Sequence, residues 1–171
     1  MSEETIVWQG KFITAKVNGR WEYVSRARGI RAAVILAVED GHVILVEQFR
    51  VPLGVSCLEL PAGLIGDGDD ADEDDQIAAA RELEEETGYR AGRMESFGEF
   101  WSSPGMVTES YSLIRAHDLV KVSEGGGTES ENITVHRVAL DRLEDFIAER
   151  RAKGDAIDGK LLMLMGPRLL G

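Results

Sequence analysis

A cluster of glutamates at helical spacing is the feature that most restricts how this chain can fold. Residues 81–89 read RELEEETGY. At about 100° per residue, one side of a helix holds Glu82, Glu85 and Glu86, and the side roughly opposite holds Ile77, Ala80 and Leu83. Gly88 is typical of a helix end. The pattern predicts a helix over residues 74–87 that packs by one face and presents three carboxylates on the other.

The three carboxylates repel one another unless cations neutralise them. Oxygen ligands of this kind suit hard divalent ions such as Mg²⁺. Arg81 precedes Glu85 by four residues and can hold its carboxylate in orientation. The alternative is an acidic helix face exposed to water, which is the usual explanation of a charge run.

Apolar patterns predict strands on both sides of this helix. Residues 32–38 are apolar throughout, as in a strand covered on both faces, and Asp40-Gly41 turns the chain into a second strand over 42–46. Asn18-Gly19 joins strands over 12–17 and 21–26 in an N-terminal hairpin. Further strands are predicted over 97–101, 111–116 and 133–140, and helices from 141 and over 157–165. Strands flanking helices indicate an α/β layered fold.

Two segments leave alternatives open. The Met-rich stretch 161–165 is either core or a partner surface, and core packing is favoured because Met commonly fills gaps in cores. The loop 123–129 is flexible by composition, and its mobility is either functional or merely connective.

Composition narrows the class of protein. The chain has 171 residues, 43% of them hydrophobic, which suits one globular domain. Its longest apolar run, 32–38, is far below the roughly 20 residues of a membrane-spanning helix. A net charge of −12 argues against a nucleic acid or an anionic membrane as partner. The acidic first residues are unlike a secretory signal, and Cys57 is the single cysteine, so a reducing, cytoplasmic setting is expected.

Most of the negative charge lies just before and within the predicted helix. Residues 67–86 hold eleven carboxylates and one arginine. Asp70, Asp72 and Asp74 have the spacing of an EF-hand calcium loop. However, Asp75 stands where that loop needs glycine, and Arg81 where it needs a bidentate glutamate. Residues 67–72 are therefore interpreted as a solvated insertion.

The glutamate segment resembles the Nudix box, G-x5-E-x7-R-E-U-x-E-E-x-G-U, where U is apolar or aromatic. Residues 81–89 match its second half, and Glu73 and Gly63 match the earlier positions. Nine residues rather than five separate Gly63 from Glu73, so the loop before the helix is four residues longer than in the pattern.

Other motifs resemble the ADP-ribose and ADP-sugar pyrophosphatase branch of Nudix hydrolases. They are EQFR at 47–50, ELPAGL at 59–64, SPG at 103–105, which places Pro104 16 positions beyond Gly88, and WEYV at 21–24. The similarity covers about residues 8–140. It implies a Nudix-type α/β/α sandwich with a mixed sheet. It also implies an N-terminal β-hairpin extension, residues 1–30, that helps form a homodimer, followed by a Nudix hydrolase domain over 31–171.

The resemblance implies metal ligands. Glu82 and Glu86 correspond to direct Mg²⁺ ligands, with Mn²⁺ as a substitute metal. Glu85 corresponds to a supporting ligand or orienting catalytic group, and the carbonyl of Ala62 to an additional ligand.

The resemblance also implies a catalytic base and substrate contacts. Glu131 corresponds to the loop glutamate that serves as base or further ligand, with Glu129 as the competing choice. Arg26 and Arg50 correspond to contacts with the diphosphate or ribose. Trp21, together with Phe12 of the partner subunit, corresponds to a stacking platform for adenine. Glu22 corresponds to an acceptor for the adenine amino group, and Pro104 is a further implied substrate contact. From the residues alone, Trp21 and Phe12 are equally compatible with strand core, Arg50 with a surface cation and Glu131 with an ordinary loop residue.

The predicted reaction is Mg²⁺-dependent hydrolysis of ADP-ribose or a related ADP-sugar to AMP and a sugar phosphate. Two alternatives remain: hydrolysis of another nucleoside diphosphate compound, such as a different nucleotide sugar or a dinucleotide, and a non-hydrolysing nucleotide-binding module.

Overall fold

Strands dominate the computed structural model, which describes residues 3–26, 30–66, 74–128 and 131–170. The strands are β1 (Thr5–Gln9), β2 (Ile13–Asn18), β3 (Trp21–Arg26), β4 (Arg31–Glu39), β5 (His42–Arg50), β6 (Val55–Glu59), β7 (Ala62–Ile65), β8 (Tyr89–Trp101), β9 (Ser110–Lys121), β10 (Thr134–Ala139) and β11 (Ala156–Ile157). The helices are α1 (Asp75–Thr87), α2 (Leu143–Ala152) and α3 (Leu162–Leu169), with short 3-10 helices at Leu140–Arg142 and Gly159–Leu161.

Strand β4 is buried on both faces, as its apolar run predicts. Ala33 and Ile35 belong to a core that includes α1, whereas Val34 and Leu36 pack in a second core with α2 and the C-terminal segment. Successive side chains of a strand point to opposite faces, so an unbroken apolar run supplies both cores at once.

The main sheet is mixed. Its strand order is β11-β6-β5-β4-β9-β8, and β10 pairs with β5 and β7 with β4. The pairs β4–β9 and β6–β11 are parallel and the others are antiparallel. Because α1 covers one face and α2 and α3 the other, the predicted α/β/α sandwich with a mixed sheet is confirmed.

The N-terminal extension is a three-stranded antiparallel sheet in the order β1-β2-β3. The predicted hairpin is present, with Asn18 paired to Trp21 across the turn. Strand β1 adds to it and was not predicted. Every residue of β1 is exposed. Since neither face of the strand is buried, its sequence lacks the alternation of apolar and polar residues from which a strand is predicted.

Helix α1 has the predicted bounds but packs by a different face. The side chain of Asp74 caps its first turn, accepting from Gln76 N at 2.9 Å, and Gly88 ends it with φ of 72°. Ala78, Ala79, Leu83 and Thr87 are buried, whereas Ile77 is 65% exposed. The prediction that Ile77 packs with Leu83 is wrong, because the two lie about 120° apart around the helix.

The C-terminal segment also differs from the prediction of one helix over 157–165. Residues 156–157 pair in parallel with β6 as strand β11. The side chain of Asp158 then accepts from Lys160 N at 2.7 Å and starts a 3-10 turn before α3. In the Met-rich stretch, Leu161 is buried and Met165 packs against the core, while Met163 is 37% exposed.

No helix in the described parts of the chain is long and apolar enough to cross a membrane.

Candidate active site

An open cleft of about 620 Å³ lies between α1, the main sheet, strand β3 and the C-terminal segment. Its charged lining residues are Arg26, Arg50, Glu59, Glu82, Glu86, Glu109, Glu131, Asp158 and Lys160. The fold therefore brings together two box glutamates, the loop glutamate and both arginines that the sequence predicts for the site.

Among the box glutamates that the structure describes, Glu86 is the most deeply placed, with 5% of its surface exposed. One of its oxygens accepts the backbone N–H of Ala62 at 3.1 Å. Burial raises the pKa of Glu86 to about 8, and the charges of Glu82 and Glu131 push it in the same direction, against the N–H of Ala62 and the charge of Arg50. Ionisation of Glu86 is therefore unfavourable in the metal-free cleft, chiefly because the carboxylate is buried.

Glu82 lies directly over the backbone of Gly63. A Cβ atom at Gly63 would come within 2.0 Å of Cδ of Glu82, so only glycine permits this approach. Arg81 Nη1 is 2.8 Å from Glu82 Oε1, and the Glu82 side chain is 15% exposed. The glycine of the ELPAG motif therefore places a metal-ligand candidate.

Glu85 points away from the cleft. Its side chain is 55% exposed and is 3.5 Å from Arg81 Nη1, the ion pair that the sequence predicts. Because Arg81 contacts both Glu82 and Glu85, Glu85 is connected to the cleft through that arginine.

The glycine loop that composition marks as flexible is tied to the end of α1. Gly126 N donates to the carbonyl of Glu86 at 2.8 Å, and Gly127 N to that of Glu85 at 3.0 Å. Gly125 has φ of 68°, and a Cβ there would lie 2.4 Å from the Thr87 carbonyl carbon. These bonds satisfy carbonyls that a helix end leaves without partners.

The same loop brings Glu131 to the cleft. Its carboxylate accepts from Thr128 N at 2.7 Å and from Thr128 Oγ1 at 2.9 Å. The competing base, Glu129, lies outside the described residues. So do Glu73 and the acidic insertion at 67–72.

Each cation of the cleft is held by a carboxylate that the sequence did not identify. Glu59 binds Arg50 through two bonds of 2.6 and 2.8 Å, Glu109 is 2.5 Å from Arg26, and Asp158 is 2.5 Å from Lys160. Glu59 stands in the ELPAGL motif and could have been found there. Glu109, Asp158 and Lys160 have no local pattern and come to the cleft through strand pairing.

Trp21 and Pro104 lie in a second pocket, of about 420 Å³, that shares no residue with the cleft. Trp21 and Tyr23 precede Arg26 by five and three positions along β3. Because successive side chains of a strand alternate, an odd offset places them on the other side of the strand. Trp21 is 57% and Phe12 62% exposed, and Glu22 is exposed as well. Phe12 and Glu22 line neither of these two pockets.

The carboxylates of the cleft fit a divalent cation completed by other ligands. Among the described residues, no three His, Cys, Asp or Glu side chains converge closely enough to hold a metal ion by themselves. Mg²⁺ is commonly bound by one or two carboxylates together with water and substrate phosphates. Glu82 and Glu86 supply two carboxylates, and the raised pKa of Glu86 shows that added positive charge would stabilise its ionised form.

Cys57 also lines the cleft, but burial raises the pKa of its thiol to about 12. The thiol is therefore protonated at neutral pH, and a protonated thiol is a weak nucleophile.

Comparison with known proteins identifies the family. The NUDIX domain model matches residues 27–162. The chain belongs to the NUDIX domain family. This Nudix chain is 34% identical over 162 residues to the ADP-ribose pyrophosphatase of Bacillus subtilis, covering 88% of the chain and 85% of that protein. It is 34% identical over 147 residues to the GDP-mannose pyrophosphatase of Cronobacter sakazakii, covering 81% and 72%.

A methanol dehydrogenase activator of Bacillus methanolicus is 38% identical over 120 residues, which span 70% of the Nudix chain and 63% of the activator. The crystal structure of an ADP compounds hydrolase superposes with a TM-score of 0.72 at 23% identity, covering 99% of this chain and 92% of that one. That likeness supports the fold. The family model and the Bacillus subtilis relative confirm the predicted Nudix hydrolase family, on its ADP-ribose pyrophosphatase branch.

Proposed function

We propose that this Nudix protein hydrolyses the diphosphate bond of ADP-ribose or a related ADP-sugar in a Mg²⁺-dependent reaction that yields AMP and a sugar phosphate. The observation that carries the proposal is the cleft in which Glu82 and Glu86 lie with Glu131 and Arg50. The ADP-ribose pyrophosphatase relative supports this substrate class.

Glu82 and Glu86 would hold the cation, with the carbonyl of Ala62 as a further ligand and Mn²⁺ as a substitute metal. Bound there, the cation supplies positive charge that offsets the diphosphate and makes a water molecule easier to deprotonate. Glu85 acts on the site through Arg81, which it shares with Glu82.

Glu131 is the proposed catalytic base, and Glu129 remains the competing one. A carboxylate can take the proton of the attacking water when it lies within hydrogen-bond reach. Arg50 and Arg26 are the proposed diphosphate or ribose contacts, because guanidinium groups bind phosphate oxygens in a fixed geometry. Glu59 and Glu109 hold these two side chains in place.

The proposed nucleobase site uses Trp21, Glu22 and Pro104 of one subunit together with Phe12 of the partner subunit, which the N-terminal extension, residues 1–30, would bring into contact. This extension exposes a cluster of large apolar side chains, namely Ile6, Val7, Trp8, Phe12, Ile13 and Trp21. Exposed apolar patches of this kind mark interaction sites. A second copy of the chain is proposed to cover this apolar cluster, and the Nudix domain proper follows over 31–171.

The proposed location is the cytoplasm, since the single, buried Cys57 requires no oxidising compartment.

The homodimer is tested by light scattering at micromolar concentration. We expect the mass of two chains, and we expect Trp8→Glu to shift it toward that of one, because a charge would be buried in the interface. Lys153→Glu, on an exposed position away from the extension, is the control. A monomeric mass for the unaltered protein contradicts the shared nucleobase site.

A second candidate is another nucleotide sugar. The GDP-mannose pyrophosphatase relatives, at 34% identity, favour it specifically. The box glutamates serve the reaction at the diphosphate, whereas base and sugar are recognised by other residues, so these two candidates share the same metal site.

Product analysis distinguishes the candidates. The purified protein is incubated with Mg²⁺ and, in turn, ADP-ribose, ADP-glucose, GDP-mannose, a dinucleotide and ATP, and the products are separated by anion exchange. We expect AMP with the highest kcat/KM from ADP-ribose, since specificity is a ratio of kcat/KM values. A higher value for GDP-mannose establishes the second candidate. Absence of any cleavage, with a melting temperature still raised by ADP-ribose, indicates a binding module instead.

A further inference from the structure

Asp158 and Lys160 reach the cleft from the C-terminal segment, on a rigid support. Strand β11 pairs with β6, and Asp158 N donates to the carbonyl of Leu58 at 3.0 Å. Leu161, next to Lys160, is 1% exposed in the core. Since packing on both sides fixes the turn, the two polar side chains are held in one place.

The two side chains form an ion pair beside an aromatic ring. Lys160 Nζ is 2.5 Å from Asp158 Oδ2 and 5.8 Å from the centroid of the Tyr111 ring. The other oxygen, Oδ1, accepts from the backbone N of Lys160. An ammonium has three N–H donors and a carboxylate about four acceptor positions, so both groups retain hydrogen-bonding capacity for a ligand.

This arrangement suits a hydroxyl-bearing group better than a phosphate. The carboxylate of Asp158 cancels the charge of Lys160 and would repel a phosphate oxygen placed against it. A donor and an acceptor side by side match a pair of hydroxyl groups, which both donate and accept. The Tyr111 ring, with Phe100 stacked against it at a centroid distance of 6.0 Å, lines the same cleft. A few placed polar groups in such a pocket fix ligand orientation.

We propose that Asp158, Lys160 and Tyr111 form the subsite that recognises the sugar attached to the distal phosphate of the substrate. This inference rests on the proposed function, and it names the residues that determine the specificity of the protein for the sugar of its substrate. A site built to hydrogen-bond substrate hydroxyls discriminates strongly against ligands that lack them, because its polar groups are then left unpaired.

The test compares ADP-ribose with ADP, which has the same nucleoside and diphosphate but no distal sugar. Equilibrium binding is measured by titration calorimetry with Ca²⁺, and KM and kcat with Mg²⁺. Lys160→Met is expected to weaken ADP-ribose binding and raise its KM by about tenfold, about 1.4 kcal/mol, with ADP binding unchanged. Asp158→Asn, which retains an oxygen for the Lys160 N–H, is expected to act in the same direction. Lys153→Met, the same change on an exposed lysine outside the cleft, should leave both ligands unaffected.

The subsite would be overturned if Lys160→Met lost equal affinity for ADP and ADP-ribose, which would place Lys160 at the diphosphate, or lost affinity for neither. It would also be overturned if the unaltered protein bound ADP-ribose no more tightly than ADP. If the protein hydrolyses no nucleotide sugar but Lys160→Met still weakens ADP-ribose binding selectively, the proposed function fails while the subsite stands.

Discussion

Replacing Glu86 by Gln is expected to lower the rate of ADP-ribose hydrolysis by about a thousandfold, the effect of removing a central electrostatic group from an active site. The amide keeps the shape of the side chain and an oxygen for the N–H of Ala62, but it removes the charge that would hold a divalent cation. Turnover of ADP-ribose at saturating Mg²⁺ is the measurement.

Glu84→Gln is the matched control for this variant. Glu84 lies on the same helix, is paired with Arg90 at 2.8 Å, and does not line the cleft. Its replacement should leave turnover unchanged. A Glu86→Gln protein that retains the activity of Glu84→Gln would remove Glu86 from the proposed metal site.

The same variant is expected to be more stable than the unaltered protein in EDTA at pH 8.5. The folded-state pKa of Glu86 is about 8 against an ordinary value of 4.5, so between these pH values the folded state binds more protons than the unfolded state. The stability of the metal-free protein therefore falls as pH rises through this window, and Gln removes that penalty, on the order of 5 kcal/mol. Urea unfolding at pH 5 and pH 8.5 measures it, and added Mg²⁺ should stabilise only the unaltered protein.

Gly63→Ala is expected to lower kcat by about a hundredfold and to raise the Mg²⁺ concentration needed for activity, because displacing a catalytic group by about 1 Å has effects of this size. The new methyl group would overlap Cδ and Cγ of Glu82, at 2.0 and 2.1 Å, and push that carboxylate out of the cleft. Mg²⁺ titration of the steady-state rate is the measurement.

Gly166→Ala controls for the substitution itself, since a Cβ at that position meets no atom within 4 Å. Circular dichroism should show both variants folded. If Gly63→Ala binds Mg²⁺ and turns over ADP-ribose as Gly166→Ala does, the close approach of Glu82 to Gly63 has no part in the site.

Much of the fold follows from local patterns. The apolar run of β4, the Asn18-Gly19 turn and the span of α1 depend on neighbouring residues alone, and all three were predicted from the sequence. Strands β6 and β7 were not predicted. They lie in a stretch punctuated by Gly and Pro. Strand β6 forms a hairpin with the preceding β5, but β7 pairs with β4 and β6 also pairs with β11, and these two partners are distant in sequence.

The family could be predicted from the order of residues alone, because the spacing of glutamates on one helix is a local property that needs no knowledge of the rest of the chain. The sequence also named Glu82, Glu86, Glu131, Arg26 and Arg50, which share one cleft. Three features of the site follow only from the packing of the folded chain: Glu85 faces away from the cleft, Trp21 lies in a separate pocket, and Asp158 and Lys160 enter the site. These outcomes depend on which helix face packs and which distant strands pair. The packed helix face and the strand pairing are both determined by the free energy of burying apolar surface, which is summed over the whole core and not over any one segment.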